Sequence, residues 1–146
     1  MLTRQPSGSL FPDWGSSVRA RRCVLIVDDD QDTREMYAWC MRAAGWLVSE
    51  VEDGKAAVAV AGALHPHVIV MDLCLPVLGG LQATVHLKMN ERTRHIPIVA
   101  CTGFDPLSSE GLAKKVGCEE FVAKPCLPED LRDLLEDLLV RRRVAG

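Results

Sequence analysis

From Cys23 onward the chain alternates short apolar runs with longer stretches in which apolar residues recur at three- and four-residue intervals. The runs at 23–27, 67–71, 96–101 and 121–123 are rich in Val and Ile, the composition of strands buried on both faces. A fifth run, 47–51, mixes in polar residues and predicts a more exposed strand. Between the runs the spacing predicts helices over 32–44, 54–64, 80–90, 106–116 and 129–142. The last is the clearest, with Leu131, Leu134, Leu135, Leu138 and Leu139 on one face. Gly45 and Gly117 stand where helices should stop, and Pro128 stands just before the last one. Gly111 falls inside the fourth helix, where it costs about 1 kcal/mol relative to Ala.

A regular (βα)5 alternation implies an α/β fold: a doubly wound parallel five-stranded sheet with right-handed crossovers and helices on both faces. The flavodoxin-like strand order 2-1-3-4-5 makes the first and third strands neighbours, and in such sheets ligands bind beyond the carboxyl ends of the strands. The residues after each run are therefore the candidates for chemistry. Asp28, Asp29 and Asp30 follow the first strand and Asp72 follows the third. Like charges gathered in a partly dry crevice are costly without a cation, and an open cluster of carboxylates suits Mg²⁺. Asp30 reads as a helix cap; Asp28, Asp29 and Asp72 read as the metal-binding set. Thr102 follows the fourth strand and Lys124 the fifth, supplying a hydrogen-bond donor and a positive charge for an anionic group carried on a carboxylate. A lysine that only pairs with the aspartates is the structural alternative.

Composition narrows the picture by exclusion. At 146 residues, 48% apolar and 25% charged, the chain has room for one core without disulfides or a structural metal. No apolar stretch approaches the roughly 20 residues of a membrane span, and the start has no apolar signal-peptide core. Net charge of -3 advertises neither nucleic acid nor anionic lipid, and Arg141, Arg142 and Arg143 read as cations completing a helix end. The six cysteines are scattered without a C-x-x-C pair, which points to free thiols in a reducing, cytoplasmic compartment. His65, His67, His86 and His95 lack the spacing of a metal site. Residues 1–22, which include Phe11 and Trp14, show neither period and read as a flexible tail; 23–143 form the domain and 144–146 its C-terminal end.

Four segments, VLIVDDDQDTRE, VIVMDLCLPVLGG, IPIVACTG and VGCEEFVAKP, occur in the order and with the spacings of a known family. Through them residues 23 to about 142 resemble a response-regulator receiver domain of bacterial two-component signalling, similar to stand-alone chemotaxis regulators. The resemblance implies that Asp72 is the phosphoacceptor, and that Asp28, Asp29, Asp72 and the backbone carbonyl of Cys74 hold Mg²⁺. It implies that Thr102 and Phe121 are the switch residues, that Lys124 pairs with the phosphoryl group, and that the Lys124-Pro125 bond is cis. The implied function is a signalling switch, not an enzyme acting on external substrate. It takes phosphoryl from a histidine kinase or phosphotransfer protein and promotes its own phosphorylation and dephosphorylation.

The implied output is binding of a downstream protein, or onward phosphotransfer, by the face made of the fourth helix, fifth strand and fifth helix. The chain would act as a monomer or weak dimer through that face, without direct contact to nucleic acid or membrane. Three positions depart from the common pattern. Cys126 follows the Lys-Pro pair and implies looser packing there, and Phe121 replaces a more frequent Tyr. Cys74 and Phe104 flank the path of an attacking water, so an apolar pair there should slow loss of the phosphoryl group. Two other readings compete: a phosphorylation-independent interaction module of the same fold, or a receiver fragment of a larger regulator. A Mg²⁺-dependent phosphatase is disfavoured because Cys74 stands where an acid/base carboxylate would be needed.

Overall fold

Successive strand residues point to opposite faces of a sheet, so a strand covered on both sides must be apolar at every position. The computed structural model, which describes residues 21–103 and 106–145, shows this in β1 (Cys23–Val27), β3 (Val68–Met71) and β4 (Ile98–Thr102), buried almost throughout. β2 (Leu47–Val51) and β5 (Glu120–Ala123) close the two edges and are mostly half-buried. All pairings are parallel and the order is β2-β1-β3-β4-β5, the 2-1-3-4-5 arrangement expected. The run 121–123 is predicted as a strand buried on both faces; it forms the edge strand that the order implies, but its residues are half-buried or exposed.

Helices α1 (Gln31–Ala43), α2 (Gly54–Leu64), α3 (Gly80–Met89), α4 (Pro106–Val116) and α5 (Pro128–Ala145) follow the strands in turn. The two-residue strand period divides the core. Leu25, Ile69 and Ile98 pack with Ala57, Ala61, Leu87 and Ala113, so α2, α3 and α4 cover one face. Val24, Val68 and Val99 pack with Tyr37, Met41, Leu131 and Leu135, so α1 and α5 cover the other. Each fully buried leucine of this set contributes about 2 kcal/mol through apolar area removed from water.

Several boundaries move for local reasons. β4 begins at Ile98 and not at 96, because Pro97 has no N–H for the ladder; its carbonyl still accepts from Ile69 N–H at 3.0 Å and Ile96 still packs in the core. Pro128 lies inside α5, at the first helical position where its missing N–H costs nothing. α1 starts at Gln31, capped by the Asp30 carboxylate accepting from Thr33 N–H. Gly45 (φ +96°) and Gly117 (φ +115°) end α1 and α4 in the left-handed conformation that favours glycine.

α5 runs back along the sheet. Near its end Arg142 donates to the His95 carbonyl at 2.8 Å and lies 3.9 Å from Glu119, residues that precede β4 and β5, while Arg141 pairs with Asp137 and Glu120. At the start of β1 the Cys23 N–H donates to His67 Nδ1 at 3.0 Å. Among the described residues no helix is long and apolar enough to cross a membrane. Residues 1–20 of the expected tail, with Phe11 and Trp14, lie outside the described residues, as do Phe104 and Gly146.

Candidate active site

Asp28 is the first residue beyond β1 and Asp72 the first beyond β3, and the pairing of Val27 with Met71 puts them side by side. Their backbone is pinned, since Asp28 N–H donates to the Val51 carbonyl at 3.2 Å and Asp72 N–H to the Val27 carbonyl at 3.0 Å. Carboxylate oxygens of Asp28, Asp29 and Asp72 lie within 4.8 Å of one another. Asp28 is 3% and Asp72 7% exposed, whereas Asp29 faces solvent and leaves one side open. Among the described residues this is the one group with the makings of a metal site, and no histidine joins it.

Lys124 reaches this cluster from the far side. It follows β5, its N–H donates to the Thr102 carbonyl at 2.9 Å, and its Nζ lies 2.6 Å from Asp28 Oδ2 and 3.1 Å from Asp72 Oδ2. The remaining oxygens are also engaged: Asp28 Oδ1 accepts from Asp30 N–H at 2.9 Å and Asp72 Oδ1 from Cys74 N–H at 3.0 Å. Burial pushes the Asp28 carboxyl above its ordinary value, and the Lys124 hydrogen bond offsets this only in part. Burial would lower Lys124, but its bonds to Asp28 and the charge of Asp72 outweigh it and hold the ammonium protonated. Three carboxylates against one ammonium leave two negative charges uncompensated. That surplus, carried on oxygen donors with one open side, fits a hard divalent cation such as Mg²⁺.

The loop between β3 and α3 is shaped by close backbone approach. Gly54 N–H donates to the Leu78 carbonyl at 3.1 Å and Gly80 N–H to the Leu73 carbonyl at 3.2 Å. A Cβ at Gly80 would stand 2.1 Å from the Asp72 carbonyl oxygen, so α3 can start against the site only with glycine there. Between these anchors Leu78 N–H donates to the Pro76 carbonyl at 2.7 Å across Val77, whose φ of +68° is costly for a β-branched residue.

Thr102, 1% exposed, ends β4 at the same edge of the sheet. Thr102 shares a face with Ala100 by the two-residue period, and Ala100 pairs with Phe121, which packs half-buried against the core beneath α2, α3 and α4. The structure thus sets Thr102 and Phe121 on one face of neighbouring strands. The Cys74 side chain is exposed. Cys126 is half-buried against the α1 and α5 core, and the Lys124-Pro125 bond is cis.

Two residues beside the site escaped the sequence reading. Arg34 Nη1 donates to the Asp28 carbonyl at 2.9 Å, and the Tyr37 hydroxyl donates to the Cys126 carbonyl at 3.0 Å. The second had a signal, for the chain's single tyrosine stands on the apolar face of α1.

The cysteines differ sharply in exposure. Burial pushes the Cys101 and Cys118 thiols up to about 11, whereas Cys74 is open to solvent. Alkylation at mildly alkaline pH should label Cys74 first and reach Cys101 and Cys118 only after denaturant is added. Peptide mass spectrometry reads this directly, and early labelling of Cys101 would contradict it.

A family model described as the response regulator receiver domain matches residues 24–136. The polar-differentiation response regulator DivK of Brucella abortus (strain 2308) is 34% identical over 104 residues, 71% of this chain and 85% of DivK. The chemotaxis response regulator CheY4 of Vibrio cholerae is 29% identical with a TM-score of 0.75, over 81% of this chain and 98% of CheY4. The receiver domain of a sensor histidine kinase from Pseudomonas aeruginosa PAO1 is also 29% identical, with a TM-score of 0.76 over 82% of this chain and 98% of its own. That domain carries a magnesium ion coordinated in its active site cleft.

Proposed function

The chain belongs to the response regulator receiver domain family, whose members are signalling switches, and we propose that residues 23–143 work as a phosphorylation-dependent switch with Asp72 as the phosphoacceptor. The observation that carries this reading is the convergence of Asp28, Asp29 and Asp72 within 4.8 Å, with Lys124 bridging two of them. A lysine present only for stability needs one carboxylate partner; here the ammonium meets two, and a third carboxylate stands within 4.8 Å of that pair, at a cost that a binding role explains.

The Asp72 carboxylate attacks phosphorus in line, and its O–P bond forms as the bond from phosphorus to the donor nitrogen of a histidine kinase or phosphotransfer protein breaks. Asp28, Asp29, Asp72 and the backbone carbonyl of Cys74 would hold Mg²⁺, which would supply positive charge against the phosphoryl oxygens. Lys124, already at Asp72, pairs with the new dianionic group, and the Thr102 hydroxyl moves in as a donor. Inward movement of Thr102 vacates space on the face it shares with Phe121, and Phe121 follows, repacking the surface of α4, β5 and α5. That surface then binds a downstream protein or pairs weakly with a second copy, or Asp72 passes the phosphoryl group on. The free, scattered cysteines fit a cytoplasmic setting.

The test is phosphoryl transfer from acetyl phosphate with Mg²⁺, read as a single added phosphoryl group by intact mass and as amide shifts on the α4, β5 and α5 surface. Absence of both would overturn the reading. A further outcome concerns lifetime. The Cys74 side chain cannot orient a water as an amide can, so Cys74→Asn should shorten the acyl-phosphate half-life by about fivefold, the worth of one hydrogen bond. An unchanged half-life would remove Cys74 from that role. Phe104, its expected companion, lies outside the described residues.

A further inference from the structure

The four residues joining β5 to α5, Lys124 to Leu127, must hold the lysine so that its ammonium meets Asp28 and Asp72 at once. Their backbone has few anchors. Lys124 N–H is tied to the Thr102 carbonyl, and Pro125 has no N–H to give. On the α5 side of the lysine the Leu127 carbonyl accepts from Leu131 N–H at 3.0 Å, and the tie nearest the lysine comes from α1, where the Tyr37 hydroxyl donates to the Cys126 carbonyl at 3.0 Å. We propose that Tyr37 is a positioning residue for the phosphoryl site, its hydroxyl fixing the Lys124–Cys126 turn so that Lys124 stands over Asp28 and Asp72.

The hydroxyl is built for this. Tyr37 is 2% exposed, and its oxygen accepts from the Cys101 thiol at 3.8 Å while donating to Cys126, so its polar atom is occupied in both directions. Burial pushes the phenol above its ordinary value, keeping it a donor. The geometry also links both ends of the ion pair to one body. Asp28 lies at the β1–α1 junction and is tied back to α1 by Arg34, and Tyr37 sits one turn further along the same helix. α1 thus carries the acid side of the pair directly and sets the position of the lysine side through one hydrogen bond across 89 residues of sequence. Cys101 precedes Thr102, so the tyrosine also touches the strand that supplies the hydroxyl of the site.

The proposal rests on the phosphorylation reading, and the experiment separates the two. Wild type, Tyr37→Phe, Lys124→Ala and the double variant are titrated with Mg²⁺ alone and then, at saturating Mg²⁺, with beryllofluoride, each followed by amide shifts. Tyr37→Phe keeps the ring and loses only the hydroxyl, so the beryllofluoride midpoint should rise about fivefold. The Mg²⁺ midpoint should stay the same or fall, because a less fixed ammonium competes less for the carboxylates. General loosening of the fold would raise both midpoints together, and that result overturns the proposal. In the Lys124→Ala background the Tyr37→Phe change should cost nothing more, and full additivity of the two losses would equally overturn it. Wild type insensitive to beryllofluoride would instead sink the phosphorylation reading itself.

Discussion

Asp72→Asn should abolish phosphorylation by acetyl phosphate, leaving no added mass in the presence of Mg²⁺ where the wild type takes up one phosphoryl group. An amide fills almost the same space as the carboxylate but offers no anionic oxygen to attack phosphorus. The substitution also removes one of the three converging negative charges, and Lys124 retains Asp28 as a partner at 2.6 Å. The variant should therefore melt no lower than wild type, so loss of phosphorylation cannot be ascribed to unfolding. Persistent labelling of the variant, mapped to Asp28 or Asp29, would move the acceptor to that residue.

Gly80→Ala should be strongly destabilising, and its damage falls directly on the site. The new Cβ would stand 2.1 Å from the Asp72 carbonyl oxygen and 2.7 Å from Leu73 Cα, both backbone atoms that cannot rotate away. Overpacking of this kind costs about 1–3 kcal/mol, and relief requires α3 to back away from the very residue proposed to accept phosphoryl. Urea denaturation should show the loss, accompanied by slower phosphorylation. Gly111→Ala is the control: a Cβ there meets nothing within 4 Å in α4, and removing a helical glycine should gain about 0.5–1 kcal/mol. Equal stability of the two variants would contradict this account of Gly80.

Most of the architecture was legible because buried parallel strands and amphipathic helices leave different periods in the chain. The pairing of β1 with β3 made Asp28 and Asp72 neighbours on topology alone, although they are separated by most of two βα units. The same strand-end rule picked out Thr102 and Lys124 before the resemblance gave them roles, and the structure sets both at the same sheet end. What resisted reading depends on single contacts at a distance. The incomplete burial of β5 has no mark in the run Phe121-Val122-Ala123, since apolar content alone does not say how fully the helices cover an edge strand. The start of β4 turns on one missing N–H at Pro97. Tyr37 looks like any core aromatic until its hydroxyl is seen to end on Cys126, and Gly80 like any helix start until the Asp72 carbonyl is seen beneath it.

The clasp of Arg142 onto His95 and Glu119 holds the end of α5 beside the beginnings of β4 and β5, and β1 begins at that same margin of the sheet, where Cys23 meets His67. The acidic crevice opens at the opposite margin. The start of β1 and the end of α5 therefore lie together on the margin of the sheet away from Asp72. A label carried by a side chain near the end of α5 would thus report on the sheet margin remote from Asp72, and its signal should stay unchanged when the crevice is loaded.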